Sequence, residues 1–190
     1  MTTLFRYTFY ISLLLVALPA QPATEIAGVT VSDSHQVGEQ SLRLNGAGIR
    51  SKLFVKIYVG ALYLGKPSGD AGAVLAASGA KSMHMIMLYK EVEADKITEG
   101  WSDGFRANLS DVELKPLEAR LKKFNAMFPA LRRGDVVRMD FQPGSGTLLS
   151  INDKQLGQIE GADFFNALLK VWIGEKPADP ALKKGLLGKR

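Results

Sequence analysis

The 190-residue chain carries 24 Lys and Arg against 19 Asp and Glu, a formal net charge of +5, and 46% of its residues are hydrophobic. That balance describes one domain with a substantial core and excludes a disordered chain. The sequence holds no cysteine, which excludes disulfides, thiol nucleophiles and thiolate metal sites.

The opening stretch, "MTTLFRYTFYISLLLVALPAQPATE", has one early cation, Arg6, then an apolar run from Thr8 to Ala20, then small residues and prolines. This is the layout of a secretory signal peptide, and the run falls short of the about 20 apolar residues that a bilayer span needs. The expectation is a leader over residues 1–23, a periplasmic or secreted product with no membrane span once the leader is removed, and one domain over 24–190. Charges alternate in sign along that domain. The only basic cluster is the tail "LKKGLLGKR", read as a solvated terminus. Nucleic acid is not an expected partner, because a binder would carry a longer basic stripe with interleaved aromatics.

"AGVTVSD" (27–33) is short and β-branched, an opening strand. "QSLRLNGAGIR" continues a meander, with a turn expected at Asn45–Gly48. "RSKLFVKIYVGALYL" then reads as one regular strand. Leu53, Val55, Ile57, Val59, Ala61 and Tyr63 would share an apolar face, and Arg50, Lys52, Phe54, Lys56, Tyr58 and Gly60 the other. After the break "GKPSGD", "DAGAVLAASGA" is a short helix and "SMHMIMLYK" (82–90) a strand. Ile97, Trp101, Phe105 and Leu109 fall at helical spacing, and Leu117, Leu121, Phe124 and Phe128 make the stripe of a second helix. "GDVVRMDF", "GTLLSI" and "KQLGQIEG" are three strands. "QPGSG" and "ND" join them, and the latter is a two-residue hairpin turn in which Asn and Asp tolerate positive φ. "GADFFNALLKVWIG" is a helix stopped by Gly174, and "DPALKKGLL" a last helix with Asp179 as N-cap and Pro180 at its first position. This order predicts an α+β fold, an antiparallel sheet with helices gathered against one face.

Most motif chemistry is missing. "GAGIRS" starts like a dinucleotide fingerprint but has serine for the third glycine and opens a strand. His35 and His84 lie far apart in sequence without metal-ligand spacing, so no metal and no cofactor is expected. Glu91, Glu93 and Asp95 sit at a helix start, where acids complement the dipole. Arg50 and Tyr58 remain. Eight residues apart, they would share one face of a regular strand with Phe54 between them. A guanidinium fork and a phenol beside an apolar wall fit a pocket for an amphiphilic acid. They fit equally an exposed strand face with snorkelling cations, the commoner arrangement.

At these residues the sequence resembles the chalcone isomerase-like family, and specifically its exported bacterial branch. "LNGAGIRSKLFVKIYVGALYL" is similar to the Gly-Ala-Gly-Val-Arg turn and following strand of the plant enzymes. "RRGDVVRMDFQPGSGTLLSINDKQLGQIEG", "DFFNALLKVWIGEKP" and "DPALKKGLLG" look like further family segments, in the family's order. The resemblance implies an open-faced β-sandwich, a large antiparallel sheet covered by a layer of helices, with a ligand cleft between the layers.

The plant enzymes close a chalcone to a flavanone, using an arginine, a threonine, a tyrosine, an asparagine and a late hydroxyl residue. By the resemblance Arg50 matches the arginine. Tyr58 stands at the threonine, Glu93 at the tyrosine, Gly100 at the asparagine and Asp179 at the late hydroxyl. A non-catalytic branch binds fatty acids with an arginine and a tyrosine on the carboxylate, and Arg50 with Tyr58 looks like that pair. The resemblance therefore implies a binder of a small amphiphilic carboxylate such as a fatty acid, with Arg50, Tyr58 and Phe54 at the ligand. An intramolecular lyase acting on another enone is the alternative.

Overall fold

The computed structural model describes residues 23–189. The leader expected over 1–23 lies, apart from Ala23, outside the described residues. Among the described residues no helix is long and apolar enough to cross a membrane.

The centre is a seven-stranded, wholly antiparallel sheet. Its strands are β3 (Ser34–Val37), β4 (Gln40–Lys52), β5 (Val55–Leu64), β6 (Lys81–Met87), β9 (Val136–Gln142), β10 (Gly146–Ile151) and β11 (Lys154–Ile159). Their spatial order is β11-β10-β9-β6-β5-β4-β3. A hairpin of β1 (Ala23–Ile26) and β2 (Val29–Ser32) stands apart from the sheet, as does the short pair β7 (Glu91–Val92) and β8 (Leu131–Arg132). The helices are α1 (Ala71–Ala76), α2 (Ala94–Asn108), α3 (Asp111–Leu114), α4 (Glu118–Asn125), α5 (Ala162–Ile173) and α6 (Pro180–Leu186). The α+β architecture expected from the element order is the one observed.

Both faces of the central strands are covered, by different material. Tyr58, Leu62 and Leu64 of β5 and Met83, Met85 and Met87 of β6 face the helices, where they meet Trp101 and Phe105 of α2, Phe124 of α4 and Phe164, Leu168 and Trp172 of α5. The aromatic rings meet mostly edge to face, with centroids 5.0–5.8 Å apart, the arrangement their quadrupoles favour. The alternate residues Val59, Ala61 and Tyr63 face outward with Val31, Val37 and Leu42 in a smaller cluster. The sheet is curled, so its β3 edge comes over this open face and reaches β6 and β9.

Three expectations are corrected. The strand expected over 27–33 is half of the β1–β2 hairpin, turned at Ala27 and Gly28 with positive φ. The helix carrying Leu117, Leu121 and Phe124 is broken: α3 passes through a 3₁₀ turn over Lys115–Leu117, where Pro116 removes a donor, into α4.

The third correction bears on the site. No turn occurs at Asn45–Gly48. β4 runs on through these residues with a bulge between Leu44 and Gly46. The bulged Asn45 donates to the carbonyls of Leu186 (2.7 Å) and Ser68 (3.1 Å) and accepts from the Ser68 N–H. The glycines serve close packing instead of turning. A Cβ on Gly46 would collide with the Gly185 carbonyl oxygen, and one on Gly185 would lie 2.6 Å from that of Ala47. Helix α6 thus sits directly on the β4 backbone, and this fixes its N-terminus beside Arg50.

The chain turns at Leu53–Phe54 instead, so the single strand expected from Arg50 to Leu64 is two strands.

Candidate functional site

Arg50 and Tyr58 come together, but as direct partners across the β4–β5 ladder, not as neighbours on one strand. The Arg50 guanidinium carbon lies 5.8 Å from the centre of the Tyr58 ring, within cation–π range. A bulge between Arg50 and Ser51 re-aims the chain at this point. The Ser51 N–H that it frees donates to Asp179 Oδ2 at 2.9 Å. Asp179 Oδ1 meanwhile accepts from the N–H groups of Ala181 and Leu182 as the N-cap of α6. Burial works against ionisation of Asp179, but these three backbone donors outweigh it and the charge of Arg50 adds to them, so the carboxyl is held below its usual range. Both oxygens of Asp179 are therefore occupied by backbone. Among the described residues no carboxylate lies within ion-pair distance of Arg50.

Phe54 is not at the site. It sits at the tip of the β4–β5 turn with its side chain wholly exposed, at 103%. The expectation assumed an unbroken strand in which position 54 alternates with 50 and 58, and the turn cancels that alternation.

Arg50 and Tyr58 line a small hollow between sheet and helices, with free space of about 70 Å³. Small-ligand pockets run to about 300–1,000 Å³, so a guest of that size would extend into the space of about 670 Å³ outside. The apolar wall of the hollow comes from Met85 and Met87 of β6, Ile57 of β5, Trp101 of α2, Leu131 of β8 and Val171 of α5. Gly100 and Lys96 complete it on the α2 side. Outside lies a broad, charged vestibule that includes Lys52, Tyr89, Glu93 and Lys96. Of the positions aligned with family site residues, Gly100 lines the pocket, Glu93 reaches only the vestibule, and Asp179 is spent on capping.

The polar groups at the hollow are unevenly paired. The Trp172 indole N–H donates to Tyr58 Oη at 2.8 Å, fully buried. Burial pushes the Tyr58 phenol up, only partly offset by Arg50 and the Trp172 bond, so its own proton stays in place as a donor. Arg50 Nε and Trp101 Nε1 are buried and have no hydrogen-bond partner. Buried N–H groups are rarely left so, since each costs about 1–3 kcal/mol. Trp101 and Trp172 were readable only as core residues, because their helical spacing is that of a core stripe. The indole nitrogens carry no sequence signal.

A second polar cluster lies on the open face. His35 and His84, which looked unrelated in sequence, stand with ring centroids 4.4 Å apart. Asp140 Oδ1 accepts from Ser82 Oγ at 2.5 Å and lies 2.9 Å from His35 Nε2. Burial would raise the Asp140 carboxyl, but the hydrogen bonds from His35 and Ser82 hold it below its usual range. Burial, followed by the charges of His35 and Arg138, lowers the His84 ring to about 3, with Asp140 opposing.

The sequence model of the family described as chalcone isomerase-like matches residues 23–188. The fold is similar to the crystal structure of a fatty-acid binding protein from Arabidopsis thaliana. That likeness has a TM-score of 0.67 at 14% identity and covers 87% of this chain and 96% of that one. Comparison with curated proteins finds no match.

Proposed function

The chain belongs to the chalcone isomerase-like family, and we propose that within it this protein is a non-catalytic binder of a small amphiphilic carboxylate such as a fatty acid. The observation that carries the reading is the pair of buried, unpartnered donors, Arg50 Nε and Trp101 Nε1, on residues lining a mostly apolar hollow that also holds the protonated Tyr58 phenol. Leftover donors and a cation with no carboxylate of the described residues within ion-pair distance ask for an anionic acceptor, and the methionine-lined wall asks for a hydrocarbon tail. The fold likeness to a plant fatty-acid binding protein supports the same direction. The leader-like residues 1–23 make export to the periplasm, and membership of the exported bacterial branch, part of this proposal.

A charge-assisted hydrogen bond contributes about 1.5–3 kcal/mol, and each buried CH₂ about 0.8 kcal/mol. Tail length therefore sets affinity, while Arg50 sets the preference for acid over alcohol. Titration of the protein with a fatty acid and the matching alcohol tests this. Arg50→Gln should weaken the acid about tenfold or more and leave the alcohol nearly unchanged. Equal losses for both would remove the ion pair from the account.

The same guanidinium and buried phenol are also the donors that a developing enolate oxygen needs, which keeps intramolecular lyase chemistry on an enone as the second reading. Glu93 and Gly100 replace the other donors of the enzymes, and this favours binding over turnover. Absorbance change of chalcones above the buffer rate would reverse that preference.

A further inference from the structure

The open face carries a constellation that the pocket does not use. His35 on β3, His84 on β6 and Asp140 on β9 each offer a ligand atom, and these atoms all lie within 4.8 Å of one another. Donors about 2.0–2.1 Å from a shared ion lie roughly 3–3.5 Å apart, so small side-chain rotations suffice to close on one. His84 Nε2 is buried and has no partner. His35 and Asp140 keep 19% and 17% side-chain exposure, and a shallow groove by Gln36, Gly38 and Gln142 leads to Asp140. Ser82 donates to Asp140 Oδ1, the oxygen beside His35 Nε2, and so fixes the carboxylate, as outer partners orient metal ligands. Arg138, the nearest cation on this face, is tied to Asp153. We propose that His35, His84 and Asp140 form a binding site for a first-row divalent transition-metal ion, with water completing the coordination, and that the ion pins the β3 edge to the centre of the sheet. Two imidazoles and one carboxylate suit zinc and its neighbours, whereas calcium and magnesium prefer all-oxygen sets.

Zinc and cobalt titrations of chelator-treated protein test the site. One equivalent should bind saturably and raise the melting temperature, and cobalt should show the visible bands of a nitrogen–oxygen site. His35→Gln, on the edge strand where folding is less at risk, and Asp140→Asn should each weaken binding about tenfold or more. Absence of saturable binding, or binding that both variants leave unchanged, would overturn the assignment.

A different observation concerns the β4–β5 tip. Leu53 and Phe54 have φ of 49° and 69°, almost the same as Asn152 and Asp153, at 50° and 65°, in the β10–β11 turn. That conformation favours Asn, Asp and Gly, and bulky side chains adopt it at a cost. Here it is spent to hold Leu53 at 85% and Phe54 at 103% exposure, with Lys52 and Lys56 exposed on either side. Lys52 also lines the pocket vestibule, and exposed Tyr89 is anchored by its N–H to Ile57 at the base of the same finger. An apolar point flanked by two lysines matches an anionic lipid surface, apolar beneath and negative at its headgroups. We infer that the Leu53–Phe54 tip docks the protein on anionic membranes. This inference does not depend on what the pocket holds.

Co-sedimentation with vesicles of phosphatidylcholine and phosphatidylglycerol in equal parts tests it. The wild type should bind, less so at high salt, and bind pure phosphatidylcholine weakly. The double variant Leu53→Asn/Phe54→Gly supplies the residues this turn prefers. It should melt at the same or a higher temperature yet lose vesicle binding roughly tenfold or more. A wild type that stays in solution, a variant that binds equally, or a tip-dependent self-association without vesicle binding would each overturn the inference.

Discussion

Residues 58, 62 and 64 of β5 point to the helices, while 59, 61 and 63 point to the open face, and the two sides handle polar groups differently. On the open face they are mostly paired: His35 and Ser82 with Asp140, Arg138 with Asp153, Tyr63 Oη with the Ser32 carbonyl at 3.0 Å. On the helix face apolar packing is near complete; Lys81 is paired with Asn166 away from the hollow, while donors of Arg50 and Trp101, which line it, are left over. The difference teaches where a guest belongs. Unmet donors inside a dry layer are costly unless an acceptor arrives, so the anionic amphiphile proposed above would lie on the helix face.

The contrast can be broken at several points. The largest effect should come from Gly46→Ala. Its methyl would strike the Gly185 backbone, which cannot rotate away, so α6 must lift from β4. A loss of about 3 kcal/mol is expected in denaturant titration. Gly65→Ala, with open space around it, should cost little.

Two matched hydroxyl deletions compare the faces directly. Tyr58→Phe strands the buried Trp172 N–H and should cost about 2 kcal/mol. Tyr63→Phe removes a donor to the carbonyl of exposed Ser32 and should cost about 1 kcal/mol. Equal costs would dissolve the distinction between a dry face and a wetter one.

The smallest effect is a pH dependence. Lys81 is 1% exposed on the helix face, where its ammonium donates to Asn166 Oδ1 at 3.1 Å, and burial lowers it to about 8. Below pH 8 both folded and unfolded chains hold the proton, and burying that cation is a constant cost. Between 8 and the unfolded value near 10.5 only the unfolded chain holds it, so folding gains stability as pH rises. The gain from pH 8 to 9 should be about 1 kcal/mol, and Lys81→Met should remove the slope.

The hairpins over 136–159 and the helices α5 and α6 were legible in the sequence, because alternation, the Asn152–Asp153 turn and the Asp179–Pro180 cap are local signals. The Leu53–Phe54 turn was not, since neither residue favours it, and the apparent turn at Asn45–Gly48 serves the approach of a helix 141 residues away, where Asn45 meets Leu186. Arg50 and Tyr58 do share a surface, but because the ladder joins them and not because one strand carries both, and Phe54 was misplaced by the same missed turn. The meeting of His35 with Asp140, 105 residues apart, depends on sheet curl, which no local pattern encodes. Lys183, assigned to a solvated tail, donates to the Gly174 carbonyl and so ties α6 to the end of α5.

The central claim is most directly tested by extracting lipids from protein purified out of its natural compartment and weighing them by mass spectrometry. The account predicts near-stoichiometric free carboxylates with hydrocarbon tails from the wild type and a sharp loss of them from Arg50→Gln. An empty wild-type pocket, or neutral lipids carried equally by both proteins, would contradict it.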